Sequence, residues 1–108
     1  MEHSGWSIET FRMLTATTGA AKALPRVRGP ATQYHLSSRP LDVGAMGIMV
    51  PMLETKAQAE QMVAACRYRP LGRRGLGFGY AHDDYDRGDV VPKTKLENER
   101  TLVIALIE

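Results

Sequence analysis

Two short apolar runs constrain this chain more than anything else in it. GIMVPM (47–52) and TLVIALI (101–107) are continuous hydrophobic stretches. Strict alternation would describe a strand with one wet face. An uninterrupted run of this length describes a strand covered on both faces, as in parallel sheets flanked by helices. ALPRVR (23–28) reads as a third, weaker strand, interrupted by Pro25 and two arginines.

Helical patterns separate these strands. Ser7 is placed to cap a helix in which Ile8, Phe11 and Leu14 share a face, with Gly19 as terminator. A second helix is expected over 31–42, and Pro40 should kink or end it. Thr55 and Gln58 have capping-box spacing, and Ala59, Met62, Val63 and Cys66 then recur at helical spacing. The resulting order, α-β-α-β-α-loop-β, suits right-handed β-α-β crossovers and predicts an α/β fold. Three strands leave two open sheet edges, and the chain stops at Glu108 directly after its most apolar run. Part of a larger α/β architecture, incomplete at both ends, is therefore expected. Residues 69–99 are glycine-rich and polar without a clear period, which predicts a functional loop such as a lid beside an active site.

Composition narrows the function classes. A chain of 108 residues makes at most one domain, and 44% hydrophobic with 24% charged residues is ordinary globular composition. A net charge of +2 lacks the dense basic stripe of a nucleic-acid reader, so no nucleic-acid partner is expected. The single cysteine, Cys66, excludes an internal disulfide and points to a reducing compartment. No secretion signal opens the chain, and no apolar stretch nears the roughly 20 residues that cross a bilayer. The expected location is the cytoplasm, away from membranes.

Ligands of α/β proteins bind at the carboxyl ends of strands, which directs attention to Arg28, to Pro51 and Met52, and to Glu108. Arg28 either clamps a carboxylate with two parallel hydrogen bonds or is an exposed loop arginine. Glu108 is either an oxygen ligand for a hard cation or a solvated glutamate. GRRGLGFG (72–79) lacks the Lys-Ser or Lys-Thr of a phosphate loop and follows a helix instead of a strand. HDDYD (82–86) gathers imidazole and carboxylates, as a metal site or a solvated loop, without calcium-loop spacing. His35 reads as surface or packing, and Cys66 as core.

Taken together, EHSG (2–5), the VR that ends the first strand, LDVGAMGIMVPMLET (41–55), RYRPLGRRGLGFG (67–79) and the terminal IE resemble the HpcH/HpaI family of metal-dependent, class II pyruvate aldolases. The resemblance covers nearly the whole chain, 1–108. It implies part of a TIM (β/α)8 barrel, roughly the end of its second strand to its fifth. It also implies cleavage of 4-hydroxy-2-oxo acids to pyruvate and an aldehyde, with Mg2+ or Mn2+ as cofactor, in homo-oligomers of full-length relatives. By position, His3 matches the family's acid–base histidine and Arg28 the arginine beside the pyruvate oxygens. Glu108 matches the first carboxylate ligand of the metal. Arg73, Arg74 and Gly75 match a loop motif that shapes the site or a subunit contact.

The departures set the remaining expectations. The aspartate that orients the family histidine would precede Met1, so Met1 reads as an internal methionine. The second metal carboxylate would follow Glu108. Pro40 replaces a helix-compatible residue, and Arg26 stands in a normally apolar strand. The 108-residue chain alone is therefore expected to have little or no aldolase activity. Two other readings remain: a non-catalytic homologue that acts by associating with barrel subunits, and a small anion-binding module around 69–79.

Overall fold

The computed structural model describes residues 3–107. Three parallel strands, β1 (Arg26–Arg28), β2 (Gly47–Val50) and β3 (Leu102–Ala105), form one sheet in the order β1-β2-β3. Four helices accompany them: α1 (Ile8–Thr18), α2 (Tyr34–Asp42), α3 (Lys56–Cys66) and α4 (Val90–Arg100). A single 3-10 turn, Ala81–Asp83, precedes α4. No helix among the described residues is long and apolar enough to cross a membrane.

The register assigns each strand residue to a face. Val27 pairs with Ile48 and Ile48 with Val103, and this row belongs to the core with Phe11, Leu41, Leu53, Met62 and Cys66. The helices α2 and α3 pack on each other and against β2 and β3, so this is the helix-covered face. Ile48 is wholly inaccessible to solvent, and its truncation to Ala would cost about 2–5 kcal/mol. The other face carries Arg26, Gly47 and Leu102 in one row, then Arg28, Met49 and Ile104 in the next. Its outer positions are open: Arg26 is exposed and Leu102 is 47% exposed. The apolar run of β3 therefore does not mean burial on both faces, as the sequence suggested. Continuous hydrophobicity cannot distinguish a covered face from one that lacks a neighbour.

Helix ends follow their signals. Ser7 Oγ accepts the Thr10 N–H at 3.3 Å, and Gly19 occupies the C-cap of α1. Thr55 Oγ1 accepts the Gln58 N–H at 3.2 Å while Gln58 Oε1 accepts the N–H groups of Thr55 (3.0 Å) and Glu54 (2.9 Å). On α3 the buried residues are Met62, Ala65 and Cys66, whereas Val63 is 41% exposed.

Helix α2 begins at Tyr34, after a bend over 30–32, and not at Ala31. Pro40 sits in its last turn and the helix continues to Asp42. The termination is instead made by Gly44, at φ +104°, where a side chain would be strained. Ala45 N–H donates to Pro40 O (3.0 Å) and Gly44 N–H to Leu41 O (3.2 Å), the paired bonds of a Schellman ending.

Candidate active site at the carboxyl end of the sheet

Arg28 is the last residue of β1 and is half-buried on the face opposite the helices, in register with Met49 and Ile104. Gly29 N–H donates to Met49 O at 2.8 Å, which fixes the strand end. One row back, Arg26 is accommodated because its neighbour has no side chain. A Cβ on Gly47 would lie 3.2 Å from Arg26 Cγ and 3.1 Å from Leu102 Cβ. The departure at Arg26 is thus matched by a glycine in the adjacent strand.

Beyond β2 the chain makes a sharp turn. Pro51 is fully buried, and Met52 adopts φ +56° with its side chain 66% exposed. A bulky residue in the left-handed region costs about 1–3 kcal/mol and must be held by its surroundings. Here the restraint is visible: Leu106 N–H donates to Val50 O (3.0 Å), and Leu53 N–H donates to Leu106 O (3.2 Å). The strained turn therefore stands at the strand end where α/β proteins bind ligands. Sequence reading located Met52 but could not reveal its conformation, because methionine carries no signal for positive φ.

The other expected site residues are less informative. His3 is exposed in the turn that leads to the Ser7 cap. Glu108 lies outside the described residues. Among the described residues, no three His, Cys, Asp or Glu side chains form a group able to hold a metal ion. The described side chains alone therefore do not fit a divalent-metal site.

The segment 69–99 is not the loop expected. Its last third is helix α4, which lacks an apolar stripe: its buried residues are Glu97 and Asn98, whereas Val90, Val91 and Leu96 are exposed. The Asn98 amide substitutes for a hydrophobic contact. Its Oδ1 accepts the Tyr68 N–H at 2.7 Å and its Nδ2 donates to Tyr68 O at 3.1 Å. Nor is this segment a lid over Arg28. Ala81, His82, Asp84 and Tyr85 border a cavity with Pro25, Met46 and Thr101, the residues that immediately precede the three strands. The segment joins a helix to a strand, and such connections close the amino end of a parallel sheet.

Arg73, Arg74 and Gly75 pack along α2 and α3. Arg74 is 4% exposed, donates from Nε (3.1 Å) and Nη2 (2.7 Å) to Asp42 Oδ1, and covers the Tyr68 ring. Tyr34 Oη accepts the Gly75 N–H at 2.8 Å and donates to Arg73 O at 3.4 Å. The guanidinium of Arg73 stands 5.8 Å from the Tyr34 ring centroid.

HDDYD is split: Asp84, Tyr85 and Asp86 are exposed, as in a solvated loop, whereas His82 and Asp83 are buried, and no metal-holding group forms there among the described residues. Asp83 is buried, and its carboxylate accepts the N–H groups of Gly79 (2.9 Å) and Tyr80 (2.9 Å) and pairs with Lys93 at 3.1 Å. Burial acts to raise its pKa, but the Gly79 N–H and Lys93 outweigh it and hold the carboxyl below its ordinary value. His82 is also buried, with Nε2 3.4 Å from Tyr68 Oη and Nδ1 without a hydrogen-bond partner among the described residues. Burial, and then the Arg74 charge, lower its pKa.

The profile of the family described as HpcH/HpaI aldolase/citrate lyase matches residues 8–108. The chain belongs to this family. Over 77 residues it is 39% identical to the hydroxypyruvate/pyruvate aldolase of Roseobacter denitrificans, covering 71% of this chain and 30% of that protein. Over 108 residues it is 35% identical to an Escherichia coli 5-keto-4-deoxy-D-glucarate aldolase, covering 99% of this chain and 41% of the relative. The solved HpcH/HpaI aldolase from Desulfitobacterium hafniense superposes with a TM-score of 0.92 at 26% identity, covering 99% of this chain and 41% of that one. The citrate synthase SbnG superposes with a TM-score of 0.85 at 31% identity, covering 100% and 40% respectively. The chain thus spans 30–41% of the length of these relatives, and its three-stranded parallel sheet corresponds to part of their TIM-barrel fold.

Proposed function

We propose that this chain supplies one side of the active site of a carbon–carbon lyase, cleaving 4-hydroxy-2-oxo acids to pyruvate and an aldehyde. Arg28 carries the reading, being a cation at the carboxyl end of a strand in a chain that belongs to an aldolase and lyase family. In retro-aldol cleavage a base takes the proton of the 4-hydroxyl, whose oxygen electrons form the aldehyde carbonyl as C3–C4 breaks. The bonding pair passes into the 2-oxo group as an enolate, which regains a proton at C3 to give pyruvate. His3 is the proposed base. Arg28 is the proposed partner of the carboxylate and enolate oxygens, where a fixed guanidinium is matched to the charge that develops.

A divalent ion, Mg2+ or Mn2+, is proposed for the assembled site with Glu108 as its ligand from this chain. Among the described residues no group of His, Cys, Asp or Glu side chains would hold the ion by itself. Arg73, Arg74 and Gly75 are proposed to shape the helix side of the barrel or a contact between subunits. A second reading, association with barrel subunits without catalysis, is favoured by the open face of β3, where Leu102 is 47% exposed.

The experiment is a chimera in which these 108 residues replace the matching segment of the E. coli 5-keto-4-deoxy-D-glucarate aldolase. Pyruvate release that falls at least a hundredfold on Arg28→Ala or His3→Ala supports the catalytic reading. A folded chimera without activity, or with activity indifferent to both substitutions, overturns it. The 108-residue chain alone is expected to release no measurable pyruvate.

A further inference from the structure

A second cleft, whose lining does not include Arg28, lies between α1, α2 and the glycine-rich connection and shares Ala81 and Tyr85 with the amino-end cavity. Arg12 of α1 and Arg39 of α2 border it, with Leu76, Tyr80 and Tyr85 from the glycine-rich connection opposite. It is an open cleft of about 660 Å³, with both arginines exposed.

Both arginine side chains are without a hydrogen bond or ion pair among the described residues. Glu9 feels the charge of Arg39, but the two form no ion pair. Asp42 also borders the cleft, where Oδ1 is already engaged by Arg74. The cleft therefore presents two guanidiniums from adjacent helices that are engaged in no ion pair among the described residues. Guanidinium is the side chain best matched to the planar, multi-oxygen face of a phosphate.

The opposite wall is held in strain. Asp84 (φ +53°) and Tyr85 (φ +59°) are consecutive left-handed residues, and for a bulky tyrosine this is an outlier. Tyr85 N–H donates to Tyr80 O at 2.9 Å, which closes the turn and sets both side chains on the rim. Each tyrosine is 57% exposed, so each leaves much of its ring accessible. Strain of this kind collects where a side chain must be presented to a ligand.

We propose that this cleft binds an organic phosphate, with the anion between Arg12 and Arg39 and the organic body against Tyr80 and Tyr85. The test is calorimetric titration of the 108-residue chain in low-salt buffer with AMP and, separately, with inorganic phosphate. Saturable one-to-one binding of AMP, tighter than phosphate, is expected. Arg12→Gln combined with Arg39→Gln should weaken it at least tenfold, and the doubly Lys-substituted chain should retain part of it. Tyr80→Ala with Tyr85→Ala should weaken AMP and leave phosphate unchanged. Circular dichroism confirms that each variant is folded. Absent AMP binding, or affinity unchanged by the arginine substitutions, overturns the site. Equal affinity for AMP and phosphate overturns the role of the tyrosines. Failure here leaves the chimera assay unaffected, because neither arginine belongs to the proposed active site.

Discussion

The Arg74 guanidinium lies 4.7 Å from the centroid of the Tyr68 ring while giving two hydrogen bonds to Asp42 Oδ1. One side chain thereby ties the glycine-rich connection to both the end of α2 and the segment after α3. The two ends of this ion pair are unequally wet, with side-chain exposures of 1% for Arg74 and 42% for Asp42. Removing the partners should therefore have unequal effects. Asp42→Ala strands a buried cation and is expected to cost about 3–5 kcal/mol. Arg74→Met leaves a carboxylate that water can reach and refills the volume, so it should cost less, about 1–2 kcal/mol. Urea denaturation of both variants checks the order, and a larger loss for Arg74→Met would contradict it.

Stability should decline on mild acidification because of His82. Its folded pKa lies below the ordinary 6.5, through burial first and the Arg74 charge second. The unfolded chain therefore binds the proton more readily, and stability falls as pH drops below about 6.5. The depressed carboxyls act in a separate window. Asp83 and Asp86 lie below their ordinary 3.8, so their contribution is full above that value and is lost at more acidic pH. Denaturation midpoints measured from pH 7 to 5 should fall for the native chain. His82→Phe should flatten the curve in that interval alone.

Cys66 should be almost inert in the folded protein. The thiol is buried in the core, and burial pushes its pKa up to about 11 despite the opposing charges of Arg74 and Arg67. Since the thiolate is the reactive form, iodoacetamide at pH 8 should label the chain only at the rate of unfolding. Labelling should become rapid in urea, and mass spectrometry reports both rates.

Much of the scaffold was legible because its signals are local. Ser7 and Thr55 mark helix starts by hydrogen bonds that reach three residues, and the run at 47–52 identifies the central strand directly. Helix α4 was missed for the opposite reason. Its inner face buries Glu97 and Asn98, and what makes those side chains tolerable is contact with Arg100 and with the Tyr68 backbone, 30 residues away. The placement of Arg28 at a strand end was also legible. The amino-end position of the glycine-rich segment was hidden, since a stretch without period does not tell which end of the sheet it closes.

Gly72 provides the sharpest test of that segment's packing. A Cβ there would fall 2.3 Å from Arg67 O and 2.7 Å from Ala64 O, and both are backbone atoms at the end of α3. The approach is set by neighbouring bonds: Gly72 N–H donates to Tyr68 O (3.1 Å) and Arg73 N–H to Ala64 O (2.7 Å). Backbone oxygens held this way cannot withdraw as a flexible side chain could. Gly72→Ala must therefore move the chain, breaking the Arg73 bond and pulling Arg74 from its place over Tyr68. The expected loss is about 3 kcal/mol, the scale of overpacking a rigid site. Gly75→Ala is the control, because its Cβ would meet only Tyr34 Oη at 3.6 Å, an ordinary contact. Thermal melts of the two variants should separate clearly, and equal midpoints would mean that the connection does not pack against α3 as described.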